Sequence, residues 1–363
     1  MGRILVVGGA GYVGAVLVQE LLERGYAVRV VDRLYFGDEG LREVRDRCEL
    51  VARDMRTVGA AELSDTEAVV NLGGLSNDPT AEYNPRANFE MNALAAERLA
   101  RLAKEHGVRR YVLASSCSIY DSGGREESDR PCSEDDPVAP RAAYATSKLE
   151  AERRVLALAD DTFCPVVLRK GTVGGFSPRM RYDLVLNTFV KDALDRGEIV
   201  LFYGGEMWRP VVDVRDVARA YIACLEAPEQ ALRGQIFNLA YRNVRISELG
   251  LRVLETLREL GIRCEVRPDY RYRGVRSYRV STAKIQRVLG FTPLVSIEDS
   301  VRHLVQEIER SRTDDFHNPK YYNLRWLQLL EEAERILGRT TSIFDVPVGN
   351  DPPRHLGVVR KGS

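Results

Sequence analysis

Over the first half of the chain, short runs dense in Val, Ile and Leu alternate with longer stretches whose apolar residues recur at helical spacing. The runs at 3–8, 27–32, 67–72, 109–116 and 164–169 read as strands. Between them, 12–24 places Val13, Leu17 and Leu21 on one face at i, i+4 and i+8. The longest helical patterns are 84–106 and 141–159. Near-continuous apolar strands covered by helices predict an α/β fold on a doubly wound parallel sheet.

Beyond position 171 the alternation breaks. Prolines, glycines and arginines thicken through 171–215, and isolated elements follow: strand patterns at 199–203, 235–240 and 278–281, and a helix at 247–260. This predicts a first domain over 1–171, with segments about 205–240 returning to it, and a smaller discontinuous lobe over 172–311. Residues 312–363 read as a tail carrying one amphipathic helix at 324–337. Its last stretch, with Pro347, Pro352 and Pro353, reads as extended or disordered.

Composition narrows the function. Lys plus Arg and Asp plus Glu are 53 each, so net charge is zero, which disfavours non-specific nucleic-acid binding. No apolar run approaches the roughly 18 residues of a membrane span. The first strand begins at Arg3, leaving no room for a secretory signal. Six cysteines lack C-x-x-C spacing, so reduced thiols in a cytoplasmic protein are expected, with no disulfide framework and no metal site.

Two motifs carry chemistry. G-G-A-G-Y-V-G at 8–14 follows a strand and opens a helix, with Gly8, Gly11 and Gly14 in dinucleotide-loop spacing. Glycines there let backbone amides approach a pyrophosphate at a helix N-terminus. Asp32, ending the second strand, is placed to accept hydrogen bonds from an adenosine ribose, which favours NAD over NADP; Arg33 beside it keeps NADP open. The second motif is Y-A-T-S-K: Tyr144 and Lys148 share a helical face, so an ammonium lies near a phenol and favours its ionisation as a general base. Ser116, at the end of S-S-C-S-I-Y, can hydrogen-bond the same substrate oxygen.

Over residues 3–310 the chain resembles the extended short-chain dehydrogenase/reductases acting on nucleotide sugars, in their UDP-glucose 4-epimerase-like branch. The resemblance rests on the glycine loop, Asp32, Asp54, SSCSIY, YATSK, SPRMRYDLVLN, GGEMWRPVVDVRDVARA and RSYRVSTAKIQRVLGF. It implies a Rossmann-type domain with a small nucleotide-sugar lobe, bound NAD, and a homodimer formed through the two long helices. By position, it implies that Tyr12 and Val13 contact the pyrophosphate and Asp54 and Met55 flank the adenine. Leu72, Gly73 and Gly74 would line the cofactor, and Asn92 would fix the helix beside the nicotinamide. Ser116, Tyr144 and Lys148 match the catalytic set, and Thr172, Asn187, Arg209 and Arg276 the sugar-nucleotide contacts.

The two positions after Ser116 sort the reactions. The family's dehydratases carry Asp-Glu there and its decarboxylases a glutamate at the second; here stand Cys117 and Ser118. Epimerisation, most readily at C4, is the first expectation. An NAD(P)H-dependent reductase of a 4-keto sugar nucleotide is the alternative, and a non-catalytic NAD-binding member a third. Gly73-Gly74 replaces the family's usual Ala-Ala, and Lys170-Gly171 the usual aromatic or apolar pair near the nicotinamide.

Overall fold

The computed structural model describes residues 2–121, 130–271, 276–338 and 342–346. These hold twelve strands: β1 (Arg3–Val7), β2 (Ala27–Asp32), β3 (Glu49–Ala52), β4 (Thr66–Asn71), β5 (Arg110–Ser116), β6 (Cys164–Lys170), β7 (Thr172–Gly174), β8 (Glu198–Phe202), β9 (Trp208–Asp213), β10 (Ile236–Leu239), β11 (Arg242–Arg245) and β12 (Glu265–Asp269). Seven form a parallel sheet in the order β3-β2-β1-β4-β5-β6-β10. This is a Rossmann-type sheet, and its order reverses between β1 and β4, where ligands of open α/β sheets bind beyond the strand carboxyl ends.

Alternation within each strand assigns the two faces. Ile4, Val6, Val28, Val30 and Val70 pack with Leu17, Leu21, Val217 and Tyr221 from the helices Tyr12–Glu23 and Val214–Glu226. Leu5, Val7, Val31 and Val69 pack on the opposite face with Leu99, Ala103, Ala151 and Val155, from Ala95–Glu105 and Ala143–Leu156. Each buried aliphatic side chain contributes about 1.5–3 kcal/mol, so a one-residue slip of any of these strands is strongly disfavoured. A second core built by Phe176, Tyr182, Phe189, Leu249 and Val301 underlies the two small sheets, β11-β9-β7 and β12-β8.

Two expectations are corrected and one is refined. The strand at 278–281 is reduced to a single bridge, Cys132 to Val280, because the Asn243 side chain bonds both Val280 N and Val280 O at 2.9 Å in place of a neighbouring strand. The helical stretch 84–106 is continuous over 85–105 but contains a π turn at Glu90–Leu94 between Pro85–Phe89 and Ala95–Glu105. The described part of the tail is no appendage, since Ile343 and Phe344 are 3% exposed and pack with Tyr35, Leu75, Met91 and Leu327. Pro347, Pro352 and Pro353 lie outside the described residues.

Candidate active site

A groove of about 330 Å³ runs along the carboxyl ends of β1, β2, β4, β5 and β6, a size suited to a bound small molecule. Its wall brings together Gly8, Gly11, Tyr12, Val13, Gly14, Asp32, Asp54, Met55, Leu72, Gly73, Gly74, Ser116, Tyr144, Lys148, Thr172 and Arg276. Three expected site residues stand outside it, as described below.

The glycine loop turns tightly into the helix Tyr12–Glu23. At Gly14 an added Cβ would sit 2.3 Å from Gly8 O, so only glycine permits this approach. Asp32 accepts hydrogen bonds from Ala10 N (3.0 Å) and Leu34 N (2.8 Å), fixing its carboxylate beside the loop. Asp54 is engaged differently: its buried carboxylate accepts bonds from Arg33 at 2.5 Å and from Arg56 at 2.8 Å. Burial acts to raise the Asp54 carboxyl, but hydrogen bonding from Arg56 and the charges of Arg33 and Arg56 hold it below its ordinary range.

Ser116 ends β5 and caps the short turn Cys117–Tyr120, its Oγ accepting from Ser118 N at 3.1 Å. Tyr144 and Lys148 lie in the first turns of the helix Ala143–Leu156, and Lys148 Nζ stands 5.8 Å from the Tyr144 ring centre. Burial pushes the Tyr144 phenol up to about 12, with Asp78 adding to it. The cations that pull it down are Arg181 and Arg276, not the lysine expected from the Y-x-x-x-K spacing. Burial also lowers Lys148, to about 8, although Glu152 one turn on opposes this. Lys170, paired in register with Ser116, is lowered to about 7 by burial and then by Lys148; its Nζ donates to Ser115 O at 3.0 Å.

Behind the wall, Asn92 in the π turn donates from Nδ2 to Leu75 O (2.9 Å), Asn88 Oδ1 (2.8 Å) and Ser147 Oγ (3.1 Å). It thereby ties the groove floor to the helix Ala143–Leu156 without lining the groove. Gly74 is glycine because its φ is +116° and a Cβ there would meet Asn92 Oδ1 at 2.0 Å.

Two expected sugar contacts are also set back. Asn187 is fully buried, accepting from Gly175 N (2.8 Å) and donating to Tyr12 Oη (3.2 Å), Gly175 O (3.1 Å) and Arg181 O (2.9 Å). It positions Tyr12 and Arg181 and has no donor left for a ligand. Arg209 lies behind Arg276: its guanidinium donates to the backbone oxygens of Trp208 and Arg276 and covers the Tyr278 ring.

Two groove residues escaped the sequence reading. Arg179 and Arg181 are buried in the wall, Arg179 near Asp32 and Arg181 near Tyr144. Arg179 Nη2 donates to Asn323 (2.7 Å), while its Nε and Nη1 have no partner; burial lowers the group to about 9. Arg181 pairs with Asp183 at 2.7 Å and leaves Nη2 unpartnered, as Arg276 leaves Nη1. Buried donors without acceptors are costly, so four on three arginines of one groove are suited to anionic oxygens. That arrangement fits a dinucleotide pyrophosphate beside a second diphosphate.

A parallel sheet with its glycine loop at the reversal point, an acid ending β2 and a Ser-Tyr-Lys set in one groove are features of a dinucleotide-binding enzyme. Residues 4–240 match the NAD dependent epimerase/dehydratase family, and the chain belongs to it. UDP-glucose 4-epimerase of Corynebacterium glutamicum is 27% identical, over 80% of this chain and 91% of its own. UDP-glucuronic acid decarboxylase 1 of Xenopus tropicalis is 24% identical, over 86% and 75%. The structure of MoeE5 in complex with UDP-glucuronic acid and NAD superimposes with a TM-score of 0.73 at 28% identity, covering 85% of this chain and all of MoeE5. The cofactor is NAD. No described helix is long and apolar enough to cross a membrane, and no described group of three His, Cys, Asp or Glu side chains could hold a metal.

The acid at position 32 and the engagement of Arg33 bear on cofactor choice. Arg33 would be the natural partner of a 2′-phosphate, but Asp54 and the carbonyls of Ile343 and Asp345 hold it. NAD is therefore expected to bind at least tenfold more tightly than NADP, about 1.4 kcal/mol. Calorimetric titration of cofactor-free protein checks this, and equal affinities would refute it.

Proposed function

We propose that the protein epimerises a nucleotide-diphosphate sugar, most readily at C4, by transient oxidation and hydride return. The observation that carries this reading is the absence of an acid–base pair beside Ser116. Cys117 is fully buried, its thiol donates to Arg169 O at 3.1 Å, and burial raises it far above the working range. Ser118 is also buried and supplies only a hydroxyl, unpartnered and at the groove wall. Neither group expels water or assists loss of a carboxylate.

NAD when bound supplies the hydride acceptor and donor. Tyr144 removes the proton from the sugar hydroxyl and restores it after the carbonyl has turned over, while Ser116 Oγ hydrogen-bonds that oxygen throughout. Arg181 and Arg276 stabilise the phenolate by charge, and their free donors receive diphosphate oxygens. Incubation with UDP-, GDP-, CDP- and dTDP-linked hexoses and uronic acids, followed by mass spectrometry and NMR, tests the proposal. A C4 epimer of unchanged mass, without net NADH, is expected; loss of water or CO2, or stoichiometric NADH consumption, would overturn it.

We infer further that the enzyme is a homodimer joined through the helices Ala95–Glu105 and Ala143–Leu156. They lie side by side, with Leu94 41% exposed at the head of the first. Across them Glu97 pairs with Arg154, and along the first helix with Arg101. Light scattering is expected to give twice the 40.9 kDa chain mass.

A further inference from the structure

The C-terminal segments 323–338 and 342–346 lie beyond the family match, which ends at residue 240, yet Asn323 and Leu327 of the first line the cofactor groove and the second packs against Tyr35 and Arg33 of its wall. In the helix Asn323–Ile336, Asn323 holds Arg179 at 2.7 Å and Ser76 at 2.8 Å. One turn on, Trp326 Nε1 donates to Tyr35 O at 2.6 Å, and Leu327, 1% exposed, lines the groove. The chain then returns over the β2 end. Tyr35 Oη donates to Ile343 O (2.7 Å), Arg56 Nη2 to Phe344 O (2.7 Å) and Arg33 Nη2 to Asp345 O (2.8 Å). The Phe344 ring packs against Tyr35 and Tyr83, with centres 6.4 and 6.3 Å apart. Ser342 Oγ closes the loop back onto Glu331 at 2.7 Å.

We propose that these segments form a strap that closes the adenosine end of the groove and retains NAD as a slowly exchanging group. Arg33, Arg56 and Tyr35 all follow or flank Asp32 and Asp54, the residues expected to face the adenosine, and all three donate to strap carbonyls. Arg33 and Arg56 also hold Asp54, so the strap and the floor of the adenosine end are one hydrogen-bonded unit. Release of the cofactor from that end requires Phe344 and Ile343 to leave their apolar seats. The inference depends only on NAD occupying the groove, not on which sugar reacts.

The test uses full-length protein. NADH is bound and then chased with excess NAD in a stopped-flow fluorimeter, comparing the native chain with Phe344→Ala. Phe344 packs with Tyr35 and Tyr83, away from Tyr144 and the glycine loop, and the variant's melting temperature serves as a folding control. Release at least tenfold faster from the folded variant is expected. Hydrogen exchange on the native protein gives a second measure: amides 342–346 should be slower with NAD than without it. Equal release rates, or exchange at 342–346 indifferent to NAD, would overturn the proposal.

Discussion

Replacing Tyr144 with phenylalanine should lower kcat at least a hundredfold while NAD still binds. The substitution keeps the ring that packs beside Lys148 and removes only the ionisable oxygen. General-base removal costs about 10²–10⁴ in rate, and the described groove offers no second phenol or carboxylate with a lysine four residues on. NAD affinity should be nearly unchanged, because the contacts expected to hold the pyrophosphate lie at the glycine loop and Arg179. Lys148→Met should reduce turnover and weaken NAD, whereas Ser116→Ala should give a smaller loss confined to kcat. Steady-state kinetics on the substrate found by screening, paired with NAD titration, decide the matter. Near-normal turnover by Tyr144→Phe would place the base elsewhere.

The second large effect is on stability. Glu152 and Arg169 form an ion pair at 2.6 Å with side chains 2% and 3% exposed. Glu152 also receives the Ser115 hydroxyl, and Arg169 Nη1 donates to Tyr120 Oη at 2.7 Å, which donates onward to Asn238 at 2.8 Å. Glu152→Ala strands the Arg169 guanidinium without a counter-charge, and breaking such a buried pair costs about 3–5 kcal/mol. Urea unfolding should show the midpoint fall with little change in slope. Joint replacement, Glu152→Leu with Arg169→Met, should recover most of the loss, since an apolar pair carries no desolvation penalty. If Glu152→Ala alone costs under 1 kcal/mol, water reaches the pair and the network is not dry.

What the sequence made legible was local. The glycine loop, Asp32, Tyr144 and Lys148 are recognisable because their spacings fall within one turn or helix, although the cations named as lowering the Tyr144 phenol, Arg181 and Arg276, come from distant segments. The strands β1, β2, β4, β5 and β6 were equally plain, being apolar on both faces, whereas the edge strand β3, short and only partly buried, was missed. Strands β7, β9, β11 and β12 were not plain, because they are short and broken by arginine or proline, as in Arg242–Arg245 and Trp208–Asp213. Arg179 and Arg181 were hidden by abundance: 46 arginines leave no contrast, and what distinguishes these two is burial beside groups distant in the chain. Asn187 and Arg209 show the opposite error. Position pointed to ligand contact, but both side chains are engaged in holding Tyr12, Arg181 and Arg276 in place. The Ser342–Phe344 seat lies between the tail helix and the proline-bearing stretch, where the sequence carries no periodic pattern.

The π turn at Glu90–Leu94 makes the length of this part of the chain as important as its content. Such a turn accommodates one residue more than a regular helix, and each residue advances a helix by about 100°. Removing any one residue from 90–94 would give the helix a more favourable regular turn, but everything on one side would rotate by that angle. Asn92 would swing its amide away from Leu75 and Ser147, or Leu99 and Ala103 would turn from the sheet toward water. Substitutions at a half-exposed position such as Glu90 leave this phase intact, whereas a single deletion between 85 and 105 does not. Among homologous chains, gaps are therefore to be expected in the loops on either side of this stretch and not within it.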